Sequence, residues 1–361
     1  MMNPNPLAHS AHAVGAASVL CLRWLTPQDR PAWDVLTQRS EASCFMQSWA
    51  WADFKEKEGY RTFRYGFFLD ERLAGGCIVY CYLHNAQVHL LNAVGGPYLP
   101  QGYEAEALSQ WLSALRVLAQ QVGAIAVRIE PLWSTTPPYL EGFVRAPVDT
   151  LPVETLWIDL RPDPVAILKA MKPKGRYNVR VSQRHGVETR FTSELSDLPV
   201  FYDVFWATAQ RQQFWAEPYG FFINLCQTLM PEGMAEIGFA QRNGQVLAAI
   251  LVVYWGKQAT YLYGGRTEHC PSAMASYGLH WAAMQRAKAK GCHSYDFYGF
   301  STHPNHSYAR FSRFKQQFGG QVVTTLGAQD YYFYDRLADT LIGILTQLQP
   351  KGATTHGPNC N

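Results

Sequence analysis

Charge is scarce in this chain: Asp, Glu, Lys and Arg make up only 16% of its 361 residues, and the formal net charge is +3. That excludes a disordered polyelectrolyte and a surface that is basic all round for duplex DNA, so a polyanion must be met by a local patch. Paired cysteine spacing is also missing. Eight cysteines are scattered with no C-x-x-C, which argues against a zinc ribbon or a disulfide framework and for a reducing, cytoplasmic setting. No secretory n-region precedes the first apolar residues, in keeping with that setting. Cys77 and Cys81 come closest together, but the alternation through Gly76–Leu83 reads as a strand with buried thiols. No apolar run approaches the roughly 18 residues of a membrane span. The longest, such as Ala248–Trp255, reads as a buried strand. What the chain does have is apolar bulk, 48% hydrophobic and 14% aromatic, enough for a large core shared by two closely packed domains.

A faint internal repeat organises that core. Tyr65–Leu69, a turn at Asp70–Arg72 and Leu73–Tyr80 form a strand, turn, strand unit. Ile237–Gln241, a turn at Arg242–Gly244 and Val246–Val253 repeat it. Each hairpin is followed by a strand ending in a Gly pair (Gly95–Gly96, Gly264–Gly265) and then an amphipathic helix, over Glu104–Gln121 and Ala275–Lys290. A glycine suited to a left-handed cap closes each helix (Gly123, Gly291), and a strand follows, Ala124–Glu130 and His293–Tyr298. The spacing of the copies is that of a whole domain. The expected fold class is therefore α/β (α+β): two tandem GNAT-like acyltransferase domains, each a mixed, mostly antiparallel sheet flanked by helices. The first spans 18–150 and the second 151–336. Loose ends are expected at 1–17 and 350–361, with a short C-terminal helix over 337–349 that docks on the body or lies at a membrane surface.

Fold does not fix chemistry. An acetyl-CoA-dependent GNAT enzyme carries a Q/R-x-x-G-x-G/A loop for the pyrophosphate at a helix start. Gln183–Glu188 and Gln241–Val246 each lack its last small residue, which disfavours coenzyme A. A G-x-S-x-G elbow is missing, and the His303, His306 and His293 spacing does not suit a metal site, so neither metal nor cofactor is expected. The densest basic stretch is Lys169–His185. On a helix starting near Pro173, Lys172, Arg176, Arg180 and Arg184 fall on one stripe with no interleaved acid, suited to phosphate. Read from the residues alone, Lys55 and Lys315 are surface lysines.

Six segments in order, Gln47–Lys55, Leu156–Leu160, Met171–Arg180, Tyr261–Gly265, Tyr295–Gly299 and Phe311–Gly320, resemble the Fem family (FemABX type) of peptidoglycan bridge-forming aminoacyltransferases. The likeness runs from about Arg23 to Leu348 and suits the family's two GNAT-like domains. It implies transfer of an aminoacyl group from aminoacyl-tRNA to the side-chain amine of a peptidoglycan precursor stem peptide, carried on UDP-MurNAc or lipid II. It also implies that Lys55, with Arg176 or Arg180 and the neighbouring Lys172, holds the precursor's diphosphate. Tyr263 or Tyr261 would lie near the tRNA end or that phosphate, and Lys315 at the oxyanion. Glu130 matches an acidic position, usually Asp, once proposed as the base; pairing with Arg128 is the alternative. The short path from Phe201 to Met234 matches the compact form without a helical arm. The competing readings are a GNAT-like N-acyltransferase with another donor or acceptor, such as a protein N-terminus, and a non-catalytic RNA-binding module.

Overall fold

A computed structural model of the chain describes residues 18–39, 43–85 and 88–334. The segments expected to be loose at 1–17 and 350–361, and the helix expected over 337–349, lie outside the described residues. The first half runs β1 (Leu20–Trp24), α1 (Arg30–Arg39), α2 (Trp49–Lys57), β2 (Arg61–Leu69), β3 (Arg72–Asn85), β4 (Val88–Val94), α3 (Glu104–Val122) and β5 (Ala124–Glu130). A connection follows with β6 (Val144–Arg145), β7 (Glu154–Asp159), α4 (Pro164–Ala170) and α5 (Pro173–Arg184). The second half repeats the order as β8 (Glu188–Thr192), α6 (Leu198–Gln212), α7 (Tyr219–Leu229), β9 (Ala235–Arg242), β10 (Gln245–Trp255), β11 (Gln258–Arg266), α8 (Ala275–Ala289) and β12 (Ser294–Phe300). It closes with α9 (Ala309–Lys315), β13 (Gln321–Thr324) and β14 (Gln329–Tyr332). The repeat is longer than the sequence suggests, taking in the leading strand and the helix pair of each half. Only residues 230–234 separate α7 from β9, the compact path expected there.

Local chemistry explains these elements. α3 buries Leu108, Trp111, Leu115, Leu118 and Val122 along one stripe and stops at Gly123, whose φ of 71° is the left-handed cap. The β9–β10 hairpin turns through Asn243 and Gly244, both at positive φ, the geometry that suits the twist of the strands. β10 carries an unbroken buried run from Leu247 to Trp255 because both of its faces are covered.

Two seven-stranded sheets result, ordered β1-β2-β3-β4-β5-β14-β6 and β13-β7-β12-β11-β10-β9-β8. They face each other across the helix pairs. Trp33 of α1, Trp51 and Phe54 of α2, Phe201 and Phe205 of α6, and Phe222 of α7 join residues of both sheets in one core. Phe54 meets Phe221 edge-on at 5.2 Å, so the equivalent helices α2 and α7 form the seam between the halves. α3 covers the outer face of the first sheet, and α5 and α8 that of the second. The described cysteines are free thiols, with Cys77 and Cys81 buried.

Each sheet takes in a strand that lies next to the other half in sequence. β7 pairs with β12, and β14, although it follows the second half in sequence, inserts between β5 and β6. The boundary expected between 18–150 and 151–336 is thus crossed at Gln329–Tyr332. The cause is a buried ion pair that no local pattern reveals. Arg128 Nε and Nη2 donate to the two oxygens of Asp330 at 2.7 and 2.8 Å.

Candidate functional site

The halves differ where the fourth and fifth strands of the repeat run side by side. β4 and β5 stay in register from His89–Ala124 to Val94–Glu130, whereas β11 and β12 pair only at 258–260 with 294–296 and then part. A bulge deflects β12: Asp296 faces Trp157 and Gly299 faces Thr155, so Phe297 and Tyr298 together oppose Leu156. Asp296 Oδ1 folds this bulge by accepting the Tyr298 N–H at 2.7 Å, and Tyr298 sits at φ 55°, a conformation tyrosine adopts only under constraint.

α9 carries Lys315 into the opening. The lysine is only 7% exposed; its ammonium donates to the Gly299 carbonyl at 2.5 Å and stands 5.7 Å from the centre of the Tyr261 ring. The reading of Lys315 as a surface lysine is therefore corrected: the apolar face of α9 turns inward and takes the lysine with it. Burial pushes the ammonium down to about 7, opposed by the charge of Asp296. Burial likewise pushes the Asp296 carboxyl up to about 6, opposed by its bond to Tyr298 and by Lys315. His280 of α8 meets the Tyr261 ring edge-on at 4.6 Å, and its Nδ1 lies 2.9 Å from the Tyr295 hydroxyl. Burial and the Lys315 charge keep that imidazole neutral, down to about 3.

Glu130 lies at the end of β5. Its Oε2 accepts from the N–H groups of Thr150 and Leu151 at 2.8 and 2.7 Å, ordering the link between the halves, while the buried Oε1 has no partner in this structure. The pairing with Arg128 considered from sequence is not formed, because that guanidinium turns to Asp330 instead. Burial pushes Glu130 up to about 7. Both Glu130 and Asp296 act electrostatically on the buried Cys44 thiol.

Because folded Glu130 holds its proton above the ordinary 4.5, its contribution to stability is present below about 4.5 and lost as pH rises through about 7. Glu130→Gln keeps an acceptor for both N–H groups without the charge. Its melting temperature should therefore gain on the wild type between pH 5 and pH 8. A difference that does not change with pH would contradict this.

The other sequence-predicted residues lie on neighbouring elements. Tyr263 packs edge-on against Phe222 at 5.0 Å and Phe205 at 5.6 Å. Lys55 is half-buried on α2 with its ammonium 3.8 Å from the Tyr60 ring centre, and its charge acts on Glu217, which in turn acts on Tyr263. α5 begins at Pro173 as expected and leaves Lys172, Arg180 and Arg184 exposed. Arg176 is not a free member of that stripe. Its Nη1 donates to the carbonyls of Lys169, at 3.0 Å, and Met171, closing the end of α4. α5 is fixed to the turn that follows Lys315: the Lys172 N–H donates to Gln317 O at 3.1 Å, and a Cβ on Gly175 would lie 2.0 Å from that oxygen. His306 Nδ1 accepts from the Tyr308 N–H at 3.1 Å, a loop contact.

Matches to the FemAB family model cover residues 30–144, 151–243 and 231–338. The chain belongs to the FemAB family. A lipid II:glycine glycyltransferase of Staphylococcus saprophyticus is 28% identical over 127 residues, covering 35% of this chain and 29% of that protein. The crystal structure of FemX overlays with a TM-score of 0.79 at 16% identity, over 89% of this chain and 99% of that one. A tandem GNAT protein from the clavulanic acid biosynthesis pathway overlays at 0.54 and 11% identity, over 88% and 99%. At these identities the two structures share the fold with this FemAB protein, and its tandem GNAT-like architecture is the one expected from the repeat.

Proposed function

We propose that this FemAB protein transfers an aminoacyl group from aminoacyl-tRNA to the side-chain amine of a peptidoglycan precursor stem peptide, on UDP-MurNAc-pentapeptide or lipid II, at the cytoplasmic side of the membrane. The observation that carries the reading is Lys315, a buried ammonium in the opening between β11 and β12 with one of its three N–H donors taken by Gly299. An aminoacyl ester is already activated. The acceptor amine adds to its carbonyl, the C=O electrons move to oxygen, and Lys315 donates to that oxyanion. Collapse re-forms C=O and expels the ribose oxygen, which leaves with the proton lost by the amine. No covalent enzyme intermediate is needed. The resemblance to the lipid II:glycine glycyltransferase supports a precursor of that chemistry as acceptor. Lys55, Lys172 and Arg180 supply cations for its diphosphate, and Tyr261 and Tyr263 line the approach. Glu130 holds the link between the halves and presents its second oxygen as a candidate proton acceptor.

The donor is tested by binding. Aminoacyl-tRNA affinity should fall steeply with salt, as expected when phosphates are met by Lys and Arg. Tight, salt-insensitive binding of acetyl-CoA with acetyl transfer would overturn the reading. Within the stripe, Arg180→Ala should raise KM for the phosphate-bearing substrate by about tenfold or more with little change in kcat. Arg176→Ala should instead lower the melting temperature, since its guanidinium closes α4. A wild-type KM in Arg180→Ala would make the stripe a solvated helix face.

A further inference from the structure

We propose that Asp296 is a positioning residue for Lys315: the bulge it folds in β12 aims the Gly299 carbonyl at the Lys315 ammonium, and its buried negative charge compensates that ammonium. The transfer role of Lys315 is taken from the function proposed above, whereas the coupling of the two side chains stands on the fold. Three observations converge. Asp296 Oδ1 holds the Tyr298 N–H at 2.7 Å and so helps to fix Tyr298 in its left-handed conformation. The residue after Tyr298 is Gly299, whose carbonyl accepts a hydrogen bond from the Lys315 ammonium, and a Cβ on Gly299 would lie 3.0 Å from the Tyr308 ring. Asp296 is itself 6% exposed, so its charge is not dissipated in water.

The surroundings leave Asp296 as the anion facing the lysine. From β11, Tyr261 presents its ring; from α8, His280 is neutral; from β12, the Tyr295 hydroxyl is engaged with His280. On β7, Trp157 and Thr155 lie on the Asp296 side and carry no charge. Burial would otherwise drive a lone lysine to its neutral form. A neutral amine cannot stabilise an oxyanion as an ammonium does, so the distant carboxylate sets the pH range over which Lys315 works.

The test reads Lys315 directly. In ¹⁵N-lysine-labelled full-length protein, with the Lys315 signal assigned by its loss in Lys315→Met, the ammonium titration is followed in wild type and in Asp296→Asn. The amide keeps an acceptor for the Tyr298 N–H and removes the charge. The midpoint should drop by about one pH unit or more. Single-turnover transfer, which should fall as pH rises through the wild-type midpoint, should fall earlier in the variant, about tenfold lower on the alkaline limb and little changed on the acidic plateau. Asp296→Glu should restore most of the midpoint. An unchanged midpoint in a folded Asp296→Asn protein would overturn the proposal, and so would a wild-type Lys315 that titrates near an ordinary lysine at about 10.4. A shifted midpoint with no shift in the transfer limb would support the coupling and overturn the oxyanion role of Lys315 instead.

Discussion

Lys315→Met should lower single-turnover aminoacyl transfer by a factor on the order of 10²–10³ while leaving the protein folded and, at low pH, at least as heat-stable as the wild type. The two halves of that result have separate causes. An oxyanion donor acts on charge that exists only as the amine adds to the ester, so its loss appears in kcat and leaves substrate binding nearly intact. Stability moves the other way because the lysine is 7% exposed and its charge is disfavoured by burial. The unfolded chain keeps its proton to the ordinary 10.5, the folded one only to about 7, so the wild type becomes more stable as pH rises across that interval. Methionine, similar in length and uncharged, removes the penalty but leaves the Asp296 carboxylate without its compensating charge, so the melting temperature of the variant should gain most on the wild type below about pH 6, where that carboxyl is protonated. A variant that melts early and transfers poorly would make Lys315 a structural residue. One that transfers at the wild-type rate would leave the reaction without a named electrophile.

Asp330→Ala should destabilise the chain by about 3–5 kcal/mol, the usual consequence of leaving one member of a buried ion pair alone. Arg128 and Asp330 are 3% and 1% exposed and share two parallel hydrogen bonds, so removal of the carboxylate leaves a guanidinium that cannot shed its proton inside the first sheet. The loss should extend to strand order. β14 is four residues long and is held between β5 and β6, and without its ion pair only that backbone pairing and the packing of Tyr331 and Phe333 hold it to the first half. Arg128→Met combined with Asp330→Leu should recover most of the stability, since apolar side chains of similar volume meet no desolvation cost. A single Asp330→Ala variant that melts with the wild type would show that β14 is held by its backbone pairing alone.

Much of this architecture was legible in the residues. The paired hairpins, the glycine-capped helices α3 and α8, and the strands after them follow from periodicity and turn chemistry, which are local. The start of α5 at Pro173 was legible for the same reason. The strand exchange was not, because β7 and β14 are short, and β14 meets β5 through the buried Arg128–Asp330 pair, whose members lie far apart in the chain. Burial of Lys315 could not be read either: α9 is seven residues long, too short for its inward apolar face to show as a stripe, and the Gly299 carbonyl that receives the ammonium lies on another element. A partial signal for that bulge did exist in Tyr295–Gly299, where an Asp two residues before a Tyr-Gly pair is the pattern of an Asx turn. For Arg176 the stripe itself misled, since a guanidinium one turn into a helix reaches the end of the preceding helix as readily as solvent.

The most direct measurement is the mass of the acceptor. Purified protein is incubated with UDP-MurNAc-pentapeptide or lipid II and a panel of charged tRNAs, with RNase-treated and acetyl-CoA-only reactions alongside. The expected result is a gain of one aminoacyl residue on the stem peptide's side-chain amine with intact charged tRNA, and none after RNase or with acetyl-CoA. An acceptor that gains mass equally after RNase treatment, or gains an acetyl group from coenzyme A, would contradict the aminoacyl-tRNA reading of this FemAB protein.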